Sequence, residues 1–145
     1  MSSYKIKKHV KSAWISSSPK IKNKKPWGYE LVWSGFQGVH EKTLFIESGK
    51  RTSFKFHKMK TEVLFLRTGT AEVVFGDELS MSDPIGHPMT VKKMSKGESL
   101  LVQSGCPYRI KAITDCEFFE IGDKATDIPV RIEDDYGRQD KEYEK

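Results

Sequence analysis

Long apolar runs are absent from this 145-residue chain, and that absence excludes a helical membrane span. Cysteine is scarce. Cys106 and Cys116 are too few for a disulfide framework and lack the spacing of a zinc finger, which fits a reducing compartment. Cys106 stands in a Gly-Cys-Pro turn with no histidine beside it, and reads as a small side chain rather than a nucleophile. No segment repeats its apolar residues at the helical period, which argues against a helical domain. Carboxylates are missing from residues 1–25, where eight lysines are found; with a net charge of +5, the rest of the chain carries −3.

A basic arm of this kind attracts polyanions through counterion release. This one has neither arginine nor interleaved aromatic residues, so nucleic acid is not the expected partner. Trp14 is the feature there that argues against a purely solvated tail. The arm also lacks the apolar centre of a secretory signal and the arginines of a mitochondrial transit peptide, so a cytoplasmic location without a membrane partner is expected. The chain divides into a basic leader (1–25), one domain (26–138) and a charged tail (139–145). A single domain of this length buries roughly two-thirds of the surface its unfolded form exposes.

Short β-rich runs fill the domain. "KPWGYELVWS" opens it, with Tyr29, Leu31 and Trp33 alternating against Glu30, Val32 and Ser34. Further strands are expected over 39–47, 51–57, 62–67, 70–75, 89–94, 99–103, 108–114 and 116–121. Gly49, Gly69, Gly97 and Gly105 stand where tight turns need positive φ and separate hairpins, while 76–88 forms the longest loop. Eight or nine short antiparallel strands without helices predict a sandwich or closed jelly-roll barrel. In "EVLFLR", Leu64 and Leu66 lie on one face and Val63 and Phe65 on the other. A strand apolar on both faces needs two covers, and a homodimer supplies the second.

Alternation also places Ser53, Lys55 and His57 on one face of their strand and Glu62, Leu64 and Leu66 on one face of the next. Turned inward, these strands bring an ammonium, an imidazole and a carboxylate together in an apolar interior, which is costly unless the groups pair or bind something. Alternatively "KFHKMK" lies on a solvated edge, with Lys58 and Lys60 in water and Phe54 and Phe56 as the core face.

The spacing of these residues resembles the cupin family. Gly49, Lys55-Phe56-His57, Glu62 and Gly69 reproduce every gap of the first cupin motif, and Gly97, Gln103-Ser104-Gly105 and Tyr108 follow the second with its proline and histidine replaced. "KPWGYE" and "VRIEDDYGR" are similar to the opening and closing segments of the C-terminal cupin domain of type II mannose-6-phosphate isomerases, so the resemblance runs from about Lys25 to Arg138. It implies an all-β, cupin-type double-stranded jelly-roll barrel. A metal site of that branch uses Gln or His, His, Glu and His, where this chain has Lys55, His57, Glu62 and Tyr108. Two ligands remain, and an ammonium repels a dication, so neither a bound metal nor another cofactor is expected; Lys55 would pair with Glu62 instead.

The resemblance implies a small sugar-metabolism protein acting on a phosphorylated or nucleotide-activated sugar, most like a mannose-6-phosphate isomerase. Lys55, His57, Glu62 and Tyr108 are the catalytic candidates: Lys55 to stabilise an enediolate, His57 or Glu62 as base, Tyr108 as proton donor or orienting group. Arg51 and Arg109 are the candidate phosphate anchors, although alternation puts Arg109 on the face opposite Tyr108. The alternative is a noncatalytic carbohydrate-binding or regulatory cupin, in which loss of the metal ligands marks loss of chemistry.

Overall fold

The computed structural model describes residues 21–33, 39–123 and 128–138. Trp14, most of the basic leader and the charged tail lie outside them. Eleven strands are formed: β1 (Ile21–Lys25), β2 (Gly28–Val32), β3 (Val39–Ile46), β4 (Phe54–Phe56), β5 (Glu62–Thr68), β6 (Thr70–Phe75), β7 (Thr90–Ser95), β8 (Ser99–Val102), β9 (Tyr108–Ala112), β10 (Cys116–Asp123) and β11 (Val130–Glu133). No helix is long and apolar enough to cross a membrane among the described residues.

The strands make two antiparallel sheets, one ordered β1-β2-β3-β10-β5-β8 and the other β11-β4-β9-β6-β7. Their inner faces hold the core, in which Ile46, Leu64, Leu66, Ala71, Val73, Ile110, Ala112, Cys116 and Phe118 are almost fully buried. In β5 the expected alternation is seen directly: Glu62, Leu64 and Leu66 are buried, while Val63 and Phe65 are exposed by 39% and 37%. Period-two patterning therefore selected the inward face.

One expectation changes. Ile21–Lys25, assigned by charge to the leader, is a strand whose register with β2 runs from Ile21 opposite Val32 to Lys25 opposite Gly28. Its alternating lysines and the cross-strand partner explain why it folds: Lys22 lies 4.4 Å over the Tyr29 ring, and Asn23 donates to Glu30. The four glycines have the positive φ that their turns were expected to need. Gly49, Gly69, Gly97 and Gly105 have φ between 81° and 94°, and each stands where the chain passes from one sheet to the other. At Gly69 a Cβ would come within 2.2 Å of the Asp115 carbonyl oxygen, so the crossover between β5 and β6 needs both the positive φ and the missing side chain.

The outer face of the larger sheet is rich in apolar groups. Leu101 and Ile121 are exposed by 59% and 54% beside Val63 and Phe65. Phe65 stacks at 6.3 Å on Phe119, and Trp33 meets Phe119 edge-on at 5.0 Å.

Candidate functional site

Residues Lys55, His57, Glu62 and Tyr108 come together inside the barrel. Glu62 opens β5 on its inner face and is buried, and Tyr108 opens β9 across from it and donates its O–H to Glu62 Oε1 at 2.9 Å. His57 follows β4 and places Nε2 3.3 Å from the same oxygen. Lys55, in the middle of β4, is the cross-strand partner of Tyr108 on one side and Arg131 of β11 on the other, so all three side chains share the inner face. Its Nζ lies 5.6 Å from the centre of the Tyr108 ring, within cation–π range.

Glu62 does not receive its ammonium from Lys55, as the sequence had suggested, but from Lys60. Lys60 Nζ lies 3.1 Å from Glu62 Oε2 and 3.6 Å from Glu120 Oε2, and the Lys60 side chain is only 8% exposed. On β10 Glu120 projects inward, and its Oε2 also lies 3.3 Å from His40 Nε2. The result is a chain of groups running His40, Glu120, Lys60, Glu62, then His57 and Tyr108. Among the described residues no carboxylate comes within ion-pair distance of Lys55 Nζ. A second internal pair, Lys42 to Glu30 at 3.2 Å, flanks the cluster.

These contacts govern protonation. Burial opposes ionisation of Glu62, yet the hydrogen bond from His57 and the Lys60 charge outweigh it and hold the carboxyl well below the usual range. Glu62 is thus an anion, and its contact with His57 is one in which Nε2–H donates. Burial also lowers Lys60, but Glu120 and Glu62 reverse that and raise it. Burial pushes Tyr108 well above an ordinary phenol, with the Glu62 and Glu120 charges adding to the effect, so its O–H stays protonated as a donor. Lys55 keeps some contact with solvent, but desolvation lowers its pKa; Glu62 and Glu120 oppose the shift, while Lys42 and Arg131 add to it.

Arg51 and Arg109 are set apart from this group. Arg109 faces outward, opposite Tyr108, and is buried beneath the closing segment, where it donates to the Thr52 carbonyl at 2.9 Å and meets Glu133 at 3.4 Å. Arg51 binds Asp135 through both Nε and Nη2, the latter at 2.7 Å. Together they fasten residues 133–136 to the second sheet. Arg138 makes its own pair with Asp134 at 2.8 Å.

Lys60, His40, Glu120 and Arg131 escaped the sequence reading as site residues. Lys58 is exposed and Met59 is 72% exposed, so the turn does meet water; Lys60 alone folds back. Its passage is made by Gly122, where a Cβ would lie 2.9 Å from Lys60 Cε. Gly122 has no positive φ, so it is space that the glycine supplies. That glycine, alternating with Glu120 and Phe118 on one strand, was the available signal.

A cleft of about 210 Å³ opens beside Tyr108, lined also by Phe75, Glu78, Leu100, Val102 and Cys106. Burial raises the Cys106 thiol and the Glu78 charge raises it further, so it is not an activated nucleophile. In the long loop that borders the cleft, His87 Nδ1 contacts Asp77 at 2.7 Å.

Lys55, His57, Glu62 and Tyr108 do not together suit a metal ion. Lys55 has no lone pair while charged, Tyr108 remains a neutral phenol, and the carboxylate of Glu62 already faces an ammonium. Among the described residues, no three His, Cys, Asp or Glu are grouped to hold a metal ion.

No protein-family model and no curated protein matches the sequence. Solved structures do match the fold. KdgF from Halomonas sp. is similar over 70% of this chain and 83% of its own, with a TM-score of 0.57 at 11% identity. A tryptophan-to-phenylalanine variant of the Bacillus subtilis oxalate decarboxylase gives a TM-score of 0.61 at 18% identity over 73% of this chain, and a formate complex of the Lactobacillus farciminis oxalate decarboxylase gives 0.60 at 16% over 71%. The matched region spans only 28% and 30% of those two decarboxylases. One B. subtilis decarboxylase structure is described by its Mn(II) centres. With its two antiparallel sheets facing each other around a polar inner cluster, the chain has the cupin fold, a jelly-roll β-barrel.

Proposed function

We propose that this barrel is a metal-independent sugar-metabolism cupin that takes a phosphorylated or nucleotide-activated sugar and, in its catalytic form, interconverts aldose and ketose. One observation carries the reading: Lys55 stands on the inner face, beside Tyr108, with no carboxylate at ion-pair distance among the described residues. A largely desolvated ammonium without a counter-charge is costly, and an anionic ligand supplies that charge. Arg51 and Arg109 contribute less to such a site, because Asp135 and Glu133 already engage their guanidinium groups.

Isomerisation moves a proton from the carbon beside the carbonyl to the carbonyl carbon while the hydroxyl proton passes to the carbonyl oxygen, so no oxidant or reductant is consumed. His57, held by Glu62 through Nε2, is the group assigned to take the proton. Lys55 stabilises the enediolate oxygen in place of a Lewis acid. Tyr108, whose O–H is given to Glu62, orients, and Glu62 serves as the anchor of the group.

A second reading, binding without turnover, is favoured by the saturation of Glu62, which Tyr108, His57 and Lys60 already surround. Thermal-shift titration with sugar phosphates and sugar nucleotides in the presence of EDTA, followed by NMR of any stabilising sugar, separates the two. Conversion that disappears in Lys55→Ala and His57→Ala supports the isomerase; stabilisation without conversion supports binding; turnover retained in both variants removes the assigned site. The outer face of the larger sheet, with Phe65, Leu101 and Ile121 exposed and Arg67 and Glu117 among them, is proposed as the seat of a second copy of the chain.

A further inference from the structure

We propose that Lys60 is a tethered cation: its ammonium holds together the two acid–imidazole pairs that a divalent ion would otherwise bridge, and so closes the barrel to metals. The contacts are symmetrical in kind. Lys60 Nζ joins Glu62 Oε2 at 3.1 Å and Glu120 Oε2 at 3.6 Å, while His57 approaches Glu62 and His40 approaches Glu120, each at 3.3 Å. Two carboxylates, each held by an imidazole, face the ammonium, and with it between them no three His, Cys, Asp or Glu are grouped to hold an ion among the described residues.

The position is built for that side chain. Lys60, Glu62 and Glu120 are all buried. The lysine methylenes cross β10 at Gly122, where any Cβ would meet Lys60 Cε at 2.9 Å, Thr61 O at 3.3 Å and the Glu62 side chain at 3.4 Å. An ammonium so placed has two consequences. It neutralises charge that would otherwise repel between Glu62 and Glu120, and it keeps Glu62 ionised with no exchangeable ion. A lysine also cannot be removed by chelators or lost by dilution. The site differs in this from one that must be loaded, and it does so whichever sugar the barrel takes.

Removing the ammonium should convert the cluster into a metal site. A cation near the former Nζ position would draw the carboxylates inward by about 1 Å to reach the 2.0–2.2 Å typical of zinc–oxygen bonds. Cobalt(II) titration, read by its visible absorption and by calorimetry, tests this on the full chain. Wild type is expected to show no stoichiometric site. Lys60→Ala is expected to bind one equivalent, at least roughly 100-fold more tightly than wild type, and the added Glu62→Gln change should abolish that gain. Gly122→Ala retains the lysine but displaces it, and should gain cobalt affinity in the same direction. If either variant is unfolded in buffer, recovery of its β-sheet circular dichroism on adding cobalt supports the inference, and failure of cobalt to restore either variant contradicts it. A wild-type protein that binds cobalt as tightly as Lys60→Ala, or folded variants that bind none, overturns it.

Discussion

Replacing Glu62 with glutamine keeps the shape of the side chain and removes its charge. In the native protein that carboxylate is almost fully buried, accepts from Tyr108 at 2.9 Å, and faces Lys60 at 3.1 Å and His57 at 3.3 Å. Breaking a buried ion pair costs about 3–5 kcal/mol, and because Lys60 keeps Glu120 the lower end applies, about 3 kcal/mol at pH 7. For a chain of this size that is a fall in Tm of roughly 12 °C. The pH dependence is the sharper signature. Glu62 has a depressed folded pKa, so its contribution is fully present above the unfolded value, about 4.3, and is lost as pH falls through the window below it. Glu62→Gln lacks that titration, and its stability should fall less steeply with acid, by about 1.4 kcal/mol per pH unit, or roughly 2.7 kcal/mol over two units. Urea unfolding followed by circular dichroism at pH 7 and at steps down to about pH 2.5 measures both effects. Parallel acid limbs in the two proteins would refute the ionised, ion-paired Glu62.

Other expectations follow from single positions. Gly69→Ala forces a β-carbon to 2.2 Å from the Asp115 carbonyl at a φ of 92°, and should cost at least about 2 kcal/mol in chemical denaturation; an unchanged midpoint would mean the crossover does not need glycine. Leu64→Ala, at a fully buried position, should lose about 2–5 kcal/mol by the same assay. Phe65→Glu or Ile121→Glu should convert a dimer to monomers in light scattering with the circular dichroism unchanged, and a monomeric wild type would remove the dimer altogether.

Regular alternation made the barrel legible: Leu64 and Leu66 against Val63 and Phe65 set the inner face of β5, and Tyr108 followed from the motif spacing. What failed did so for physical reasons. Charge counting put Lys22, Lys24 and Lys25 in a solvated arm, although an edge strand tolerates exposed lysines and Tyr29 covers one of them. Lys60 looked like part of a wet turn because its neighbours Lys58 and Met59 are exposed; only the tertiary contact with β10 reveals where its long side chain ends. Glu120 and His40 are far from both motifs in sequence and reach the cluster solely through the pairing of β10 with β3 and β5.

The most direct test of the whole account is calorimetric titration of mannose 6-phosphate, a sugar nucleotide and unphosphorylated mannose into the wild-type chain and Lys55→Met, all in EDTA. Binding of at least one of the phosphorylated ligands without metal is expected. It should be stronger than for mannose, lost in Lys55→Met, and weakened as pH rises through a Lys55 pKa lying below that of an ordinary lysine. Binding that requires added metal, or equal binding by Lys55→Met, would contradict it.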